Sequence, residues 1–136
     1  MPPDETLDEV RGWIRKADSD LRNVELVLPA DDCPYDTVCF HAQQAAEKYL
    51  KALLTFLSTP FPRVHDLDEI LDLVPPDARV PVAGDALTEL SQLAVAPRYP
   101  GWDTEIDRQL AERAYATAQS VKREVMAMLA TRGFAP

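Results

Sequence analysis

From Val38 to Phe56 the apolar residues recur at the period of an α-helix, and this stretch restricts the fold more than any other. At about 100° per residue, Val38, Ala42, Ala45, Ala46, Tyr49, Leu53 and Phe56 share one side and form a wide arc rich in small residues. Small side chains let a neighbouring helix approach closely. His41, Gln44, Lys48 and Lys51 follow steps of three, four and three and make a separate polar stripe. An imidazole, an amide and two ammonium groups in line could receive a phosphate; the same stripe could equally be a solvated outer face. Phe40, Gln43, Glu47 and Leu54 project away from the main arc. Their spacing suggests a second contact surface, either the rest of the core or another subunit, and makes them the dimer-interface candidates.

The rest of the chain also reads as helices. Thr6-Leu7-Asp8-Glu9 has the form of a capping box. Behind it Val10, Ile14, Ala17, Leu21, Val24 and Leu28 set a core-facing stripe on a helix near 6–28, with Trp13 beside it. Pro29 and the cluster ending in Pro34 stop that helix. The second helix is predicted over about 35–58 with Asp36 as its cap, and a short third over about 66–74 opening at Asp66. A fourth spans about 84–96. The last, capped by Asp103 or Thr104, keeps its apolar step from Ile106 to Met128 and ends before Gly133. No segment alternates with period two. The fold expected is all-α: an up-down four-helix bundle with an additional short helix between the second and fourth, in one domain over residues 1–136.

Composition narrows the function classes. The 46% apolar and 27% charged residues are those of an ordinary globule, and no run approaches the ~20 apolar residues of a membrane span. The N-terminus is acidic and proline-rich, unlike a secretory signal, which points to the cytoplasm. A net charge of -9 argues against broad, sequence-independent binding of nucleic acid. The charge is uneven, however: residues 41–63 carry +2 and residues 108–136 carry +3, against -6 over 1–40 and -8 over 64–107. An anion site should therefore draw on the second and last helices. Cys33 and Cys39 lack metal-ligand spacing, and with two histidines no metal site is expected. Glycine-rich phosphate loops and Gly-x-Ser-x-Gly elbows are missing, so dinucleotide-binding and hydrolase readings fall. Arg98, bracketed by Pro97 and Pro100, could grip a phosphate at two points, with Tyr99 beside it to stack on a base.

Trp13, Lys16-Ala17, the run Phe40-His41-Ala42-Gln43-Gln44-Ala45-Ala46-Glu47-Lys48-Tyr49-Leu50-Lys51-Ala52-Leu53, then His65-Asp66-Leu67 and Arg98-Tyr99-Pro100 come in an order that resembles the HEPN family. The name denotes the "higher eukaryotes and prokaryotes nucleotide-binding" domain, and the resemblance covers about residues 6–131. It implies a five-helix, bundle-based domain that usually dimerises, often encoded beside a minimal nucleotidyltransferase. Many members are metal-independent ribonucleases, including toxins of toxin–antitoxin pairs, whose motif is an Arg followed four to six residues later by a His. Here no His follows Arg98 within that reach. The expectation is thus a cofactor-free, cytoplasmic, homodimeric binding module for a nucleotide or nucleotide-bearing partner. His41, Gln44, Lys48 and Lys51 would line its site, with Arg98 and Tyr99 closing it. The alternative is an endoribonuclease in which Arg98 stabilises developing charge and His41 or His65 moves the proton. A third reading makes the fold an assembly element with its seam on the Phe40 side.

Overall fold

The computed structural model describes residues 1–95, 100–101 and 105–136, and among them every regular element is a helix. The order is α1 (Asp4–Val27), α2 (Tyr35–Phe56), α3 (Leu67–Asp72), a 3-10 turn (Pro76–Ala78), α4 (Gly84–Val95) and α5 (Arg108–Thr131). The expected bundle, with its short helix in the crossover, is what forms. The central element is α2, which lies against α1, α5, α4 and α3 in turn. That position explains the wide apolar arc: Val38, Ala42, Ala45, Ala46, Tyr49, Leu53 and Phe56 are all buried. Among the described residues no helix is long and apolar enough to cross a membrane.

Helix starts depart from the sequence expectation in informative ways. The first helix opens at Asp4, with Pro3 in the capping position and no side-chain cap, so Thr6 and Glu9 lie inside it rather than forming a capping box. Asp4 and Glu5 stabilise its first turn through the helix dipole instead. Pro34 precedes α2 in the same way, and Asp36 is a first-turn acid rather than a cap. Asp66 occupies the cap of α3 without a side-chain bond; the Leu67 N–H donates to Ser91 Oγ of α4 at 3.0 Å. Asp107 caps α5, accepting from the Leu110 N–H at 2.8 Å, so the helix begins later than Asp103 or Thr104 would place it. Those two lie outside the described residues. Gly133 ends α5 with φ +88°, the left-handed turn that suits glycine. Phe134 then folds back, its ring 6.0 Å from that of Phe56.

Both cysteines are free and buried, and Cys39 behaves as a core hydrophobe. Burial, with smaller contributions from Asp36, Glu89 and Cys33, pushes the Cys39 thiol up to about 12. Burial, and then the hydrogen bond to Asp18, likewise holds the Tyr49 hydroxyl above the ordinary phenol range. Each group has a folded pKa above its unfolded value. Its contribution is therefore complete below the unfolded value and is lost as pH rises toward the folded one. Denaturant titrations should show stability falling once pH passes about 8.5, where unfolded cysteine ionises. Cys39→Ala should flatten part of that slope, and an unchanged slope would contradict the assignment.

Candidate functional site

The polar stripe of α2 does not present four groups in one line. Its upper half is organised by a carboxylate of α1. Asp20, only 9% exposed, takes His41 Nδ1 on Oδ1 at 2.9 Å and Lys48 Nζ on Oδ2 at 2.6 Å. His41 and Lys48 lie seven residues apart, two helical turns, so one carboxylate between them fixes both heads on the same edge. Both remain partly in solvent, with side-chain exposures of 25% and 22%. Gln44 lies between them and donates to Gln43 Oε1 at 2.8 Å.

The lower half is spent on the interior. Lys51 is buried, its Nζ 2.9 Å from Glu47 Oε2 and lying 5.7 Å and 5.6 Å from the ring centres of Trp13 and Phe61. Glu47 Oε1 also accepts from Gln43 Nε2 at 3.1 Å and meets His65 Nδ1 at 3.0 Å. Gln43 Nε2 further donates to the His65 carbonyl at 3.0 Å, which ties the loop before α3 to α2. Lys51, expected among the ligand-binding residues, is therefore a neutralised core cation. Of the dimer-interface candidates, Gln43, Glu47 and Leu54 are buried within the protomer: His65 closes over Gln43 and Glu47, and Leu54 belongs to the hydrophobic core. Phe40 is half-buried, with its ring edge-on to His41 at 5.4 Å. Arg98 and Tyr99 lie outside the described residues.

The chemistry open to the upper edge follows from its donors. A lysine ammonium has three N–H groups, and Asp20 uses one. With Nδ1 engaged by Asp20, His41 offers Nε2 as the nitrogen able to face a ligand. Asp20 balances Lys48, so the edge is a pre-positioned donor set rather than a strong positive field. Of the catalytic candidates, His41 is the imidazole oriented in this edge, while His65 is largely exposed and belongs to the Glu47 cluster. Arg98, the third, falls outside the described residues. Among the described residues no group of three or more His, Cys, Asp or Glu could hold a metal ion.

Sequence reasoning missed Asp20. Its signal is faint: a carboxylate at the edge of the Ala17–Leu21–Val24 apolar stripe, where a leucine or alanine would pack more simply. A second tie, also unforeseen, joins three helices. Tyr49 donates its hydroxyl to Asp18 of α1, and Lys122 of α5 reaches the same carboxylate at 3.0 Å.

The arrangement is that of a known helical family. A model of the HEPN domain matches residues 10–128, and the chain belongs to the HEPN family. Among solved structures it is similar to TT1696 from Thermus thermophilus, at 30% identity and a TM-score of 0.76, covering 88% of this chain and 98% of that one. It is also similar to ST0689, an archaeal HEPN homologue, at 26% identity and a TM-score of 0.68, covering 87% of this chain and 95% of the homologue. No curated protein matches.

Proposed function

We propose that this HEPN protein is a binding module that takes a phosphate-bearing ligand, a nucleotide or a nucleotide-bearing partner, on the edge formed by His41, Gln44 and Lys48. It acts as a homodimer in the cytoplasm. The family resemblance supports a separate minimal nucleotidyltransferase, in a toxin–antitoxin-type pair, as the protein it works with. The observation that carries the reading is the shared carboxylate. Asp20 holds His41 and Lys48 at 2.9 and 2.6 Å while leaving both heads about a quarter exposed. Side chains immobilised in advance lose less freedom on binding, so a modest donor set can still give useful affinity. The two remaining N–H groups of Lys48 would take phosphate oxygens, with His41 Nε2–H added when the ring is doubly protonated. Arg98 and Tyr99 belong to the site on sequence grounds alone.

Calorimetric titration with nucleoside triphosphates should give binding that Lys48→Ala weakens by about tenfold or more, the usual scale for a charged hydrogen bond. Lys51→Met made together with Glu47→Leu, so that no buried charge is stranded, should leave that affinity within about threefold of wild type, because the Lys51 ammonium is turned into the core and away from the ligand edge. Absence of heat at millimolar ligand for the wild type would sink the proposal. Metal-independent RNA cleavage that His41→Ala abolishes would replace binding with catalysis as the role of this edge.

A further inference from the structure

The outward face of α1 has a charge pattern that the ligand edge does not use. Glu5, Asp8, Glu9, Gly12, Lys16, Ser19 and Asn23 share one side of the helix, opposite the buried Val10, Ile14, Ala17 and Leu21. Its acids, Glu5, Asp8 and Glu9, come before Gly12, and Lys16 with Arg15 beside it comes after, ahead of the neutral Ser19 and Asn23, so the sign changes at Gly12. Within the protomer the repeats of acid work against the helix. Asp4 and Asp8, and Glu5 and Glu9, are like charges four residues apart. The helix dipole accounts for Asp4 and Glu5, which lie in the first turn. It does not reach Arg15 and Lys16, which are mid-helix. Among the described residues Glu5, Glu9, Arg15 and Lys16 have no ion-pair partner, although Asp8 meets Arg11 at 3.3 Å.

Gly12 is the second observation. Glycine inside a helix is costly relative to alanine, so its presence calls for a reason. None lies within the protomer: a Cβ there would meet nothing closer than Arg15 Nη2 at 3.9 Å. What the missing side chain does create is a shallow recess of about 240 Å³ lined by Glu9, Gly12, Trp13 and Lys16. A backbone that can be approached closely, beside an aromatic and midway between opposite charges, suits a crossing helix.

We infer that α1 is a self-association surface, on which a second copy of this chain packs its own α1 antiparallel, the two helices crossing at Gly12. The inference rests on the homodimer named above. An antiparallel two-fold crossing at Gly12 brings position i opposite position 24 − i or 25 − i. Glu9 then meets the partner's Lys16 or the partner's Arg15, Asp8 meets the partner's Lys16, and symmetry repeats each pair. A parallel pairing would set acid on acid and base on base. Charge alone therefore selects the two-fold arrangement. A single helix pair sits at the small end of specific interfaces, so the dimer should be weak, near micromolar, and loosened by salt.

Sedimentation equilibrium at low salt, over a concentration series, tests this. Glu9→Lys and Lys16→Glu should each raise the dissociation constant by about tenfold or more, since each sets like charges opposite one another twice. The double exchange Glu9→Lys with Lys16→Glu should recover wild-type association to within about threefold if Glu9 faces the partner's Lys16, and Glu9→Lys with Arg15→Glu should do so if it faces the partner's Arg15; recovery by neither would overturn the pairing. Gly12→Arg, which fills the recess on an exposed face, should leave a folded monomer by circular dichroism. A dimer indifferent to the single reversals and to Gly12→Arg would overturn the surface while leaving the homodimer. A wild type that stays monomeric throughout would overturn both.

Discussion

Glu47→Ala is expected to lower the unfolding free energy by about 3–5 kcal/mol in denaturant titration, among the largest losses available to one substitution here. The Glu47 side chain is 5% exposed and the Lys51 side chain 10%, so neither charge can turn to water at small cost. Removing Glu47 strips Lys51 of its 2.9 Å partner and takes the acceptor from both Gln43 Nε2 and His65 Nδ1. The rings of Trp13 and Phe61 would still face the ammonium at 5.7 and 5.6 Å, but such contacts return only about 0.5–2 kcal/mol. Glu47→Gln keeps an acceptor oxygen and should cost less. Replacing both partners, Glu47→Leu with Lys51→Met, should come back near wild type, because a matched apolar pair leaves no stranded charge. A Glu47→Ala loss below about 1 kcal/mol would mean that the pair is solvated as a surface bridge is.

The two halves of the polar stripe show what was legible in the sequence and what was not. Helical period and proline punctuation were enough for the bundle, since a 3.6-residue repeat bounded by Pro29–Pro34 and Pro60–Pro62 admits little else. The family resemblance was carried by the run around Gln43–Lys51 and by the later segments in order. Helix starts were misread at Thr6, Asp36 and Asp103–Thr104. A good capping residue states only what could end a helix, and at α1 and α2 a proline with first-turn acids serves in its place. The stripe was misread at Lys51 because a helical wheel has two sides only when one side meets solvent. Enclosed by four other helices, α2 has almost none, and its polar residues must pair. One local sign was present, the Glu47–Lys51 spacing of four, which suits an ion pair along the helix. The Asp20 clamp had no such sign. Its partners are 21 and 28 residues away, and only the docking of α1 on α2 brings them together.

Leu54→Ala should cost about 2–5 kcal/mol, and the loss should not depend on protein concentration. Leu54 is fully buried in a protomer whose α2 is covered on that side by its own chain. Truncation removes apolar contact and leaves a cavity that the surrounding helices can close only in part. A seam residue behaves differently. Its replacement weakens association, so apparent stability falls most at low concentration and recovers as the protein is concentrated. Unfolding of Leu54→Ala followed over a hundredfold range of concentration separates the two cases. A constant deficit places the residue in the core, whereas a deficit that closes on concentration would return Leu54 to a subunit interface. The same series run on Gly12→Arg should show the opposite pattern, with monomer stability retained and only the concentration dependence gone. A buried leucine and a half-buried glycine on the outer face are then distinguished by thermodynamics alone.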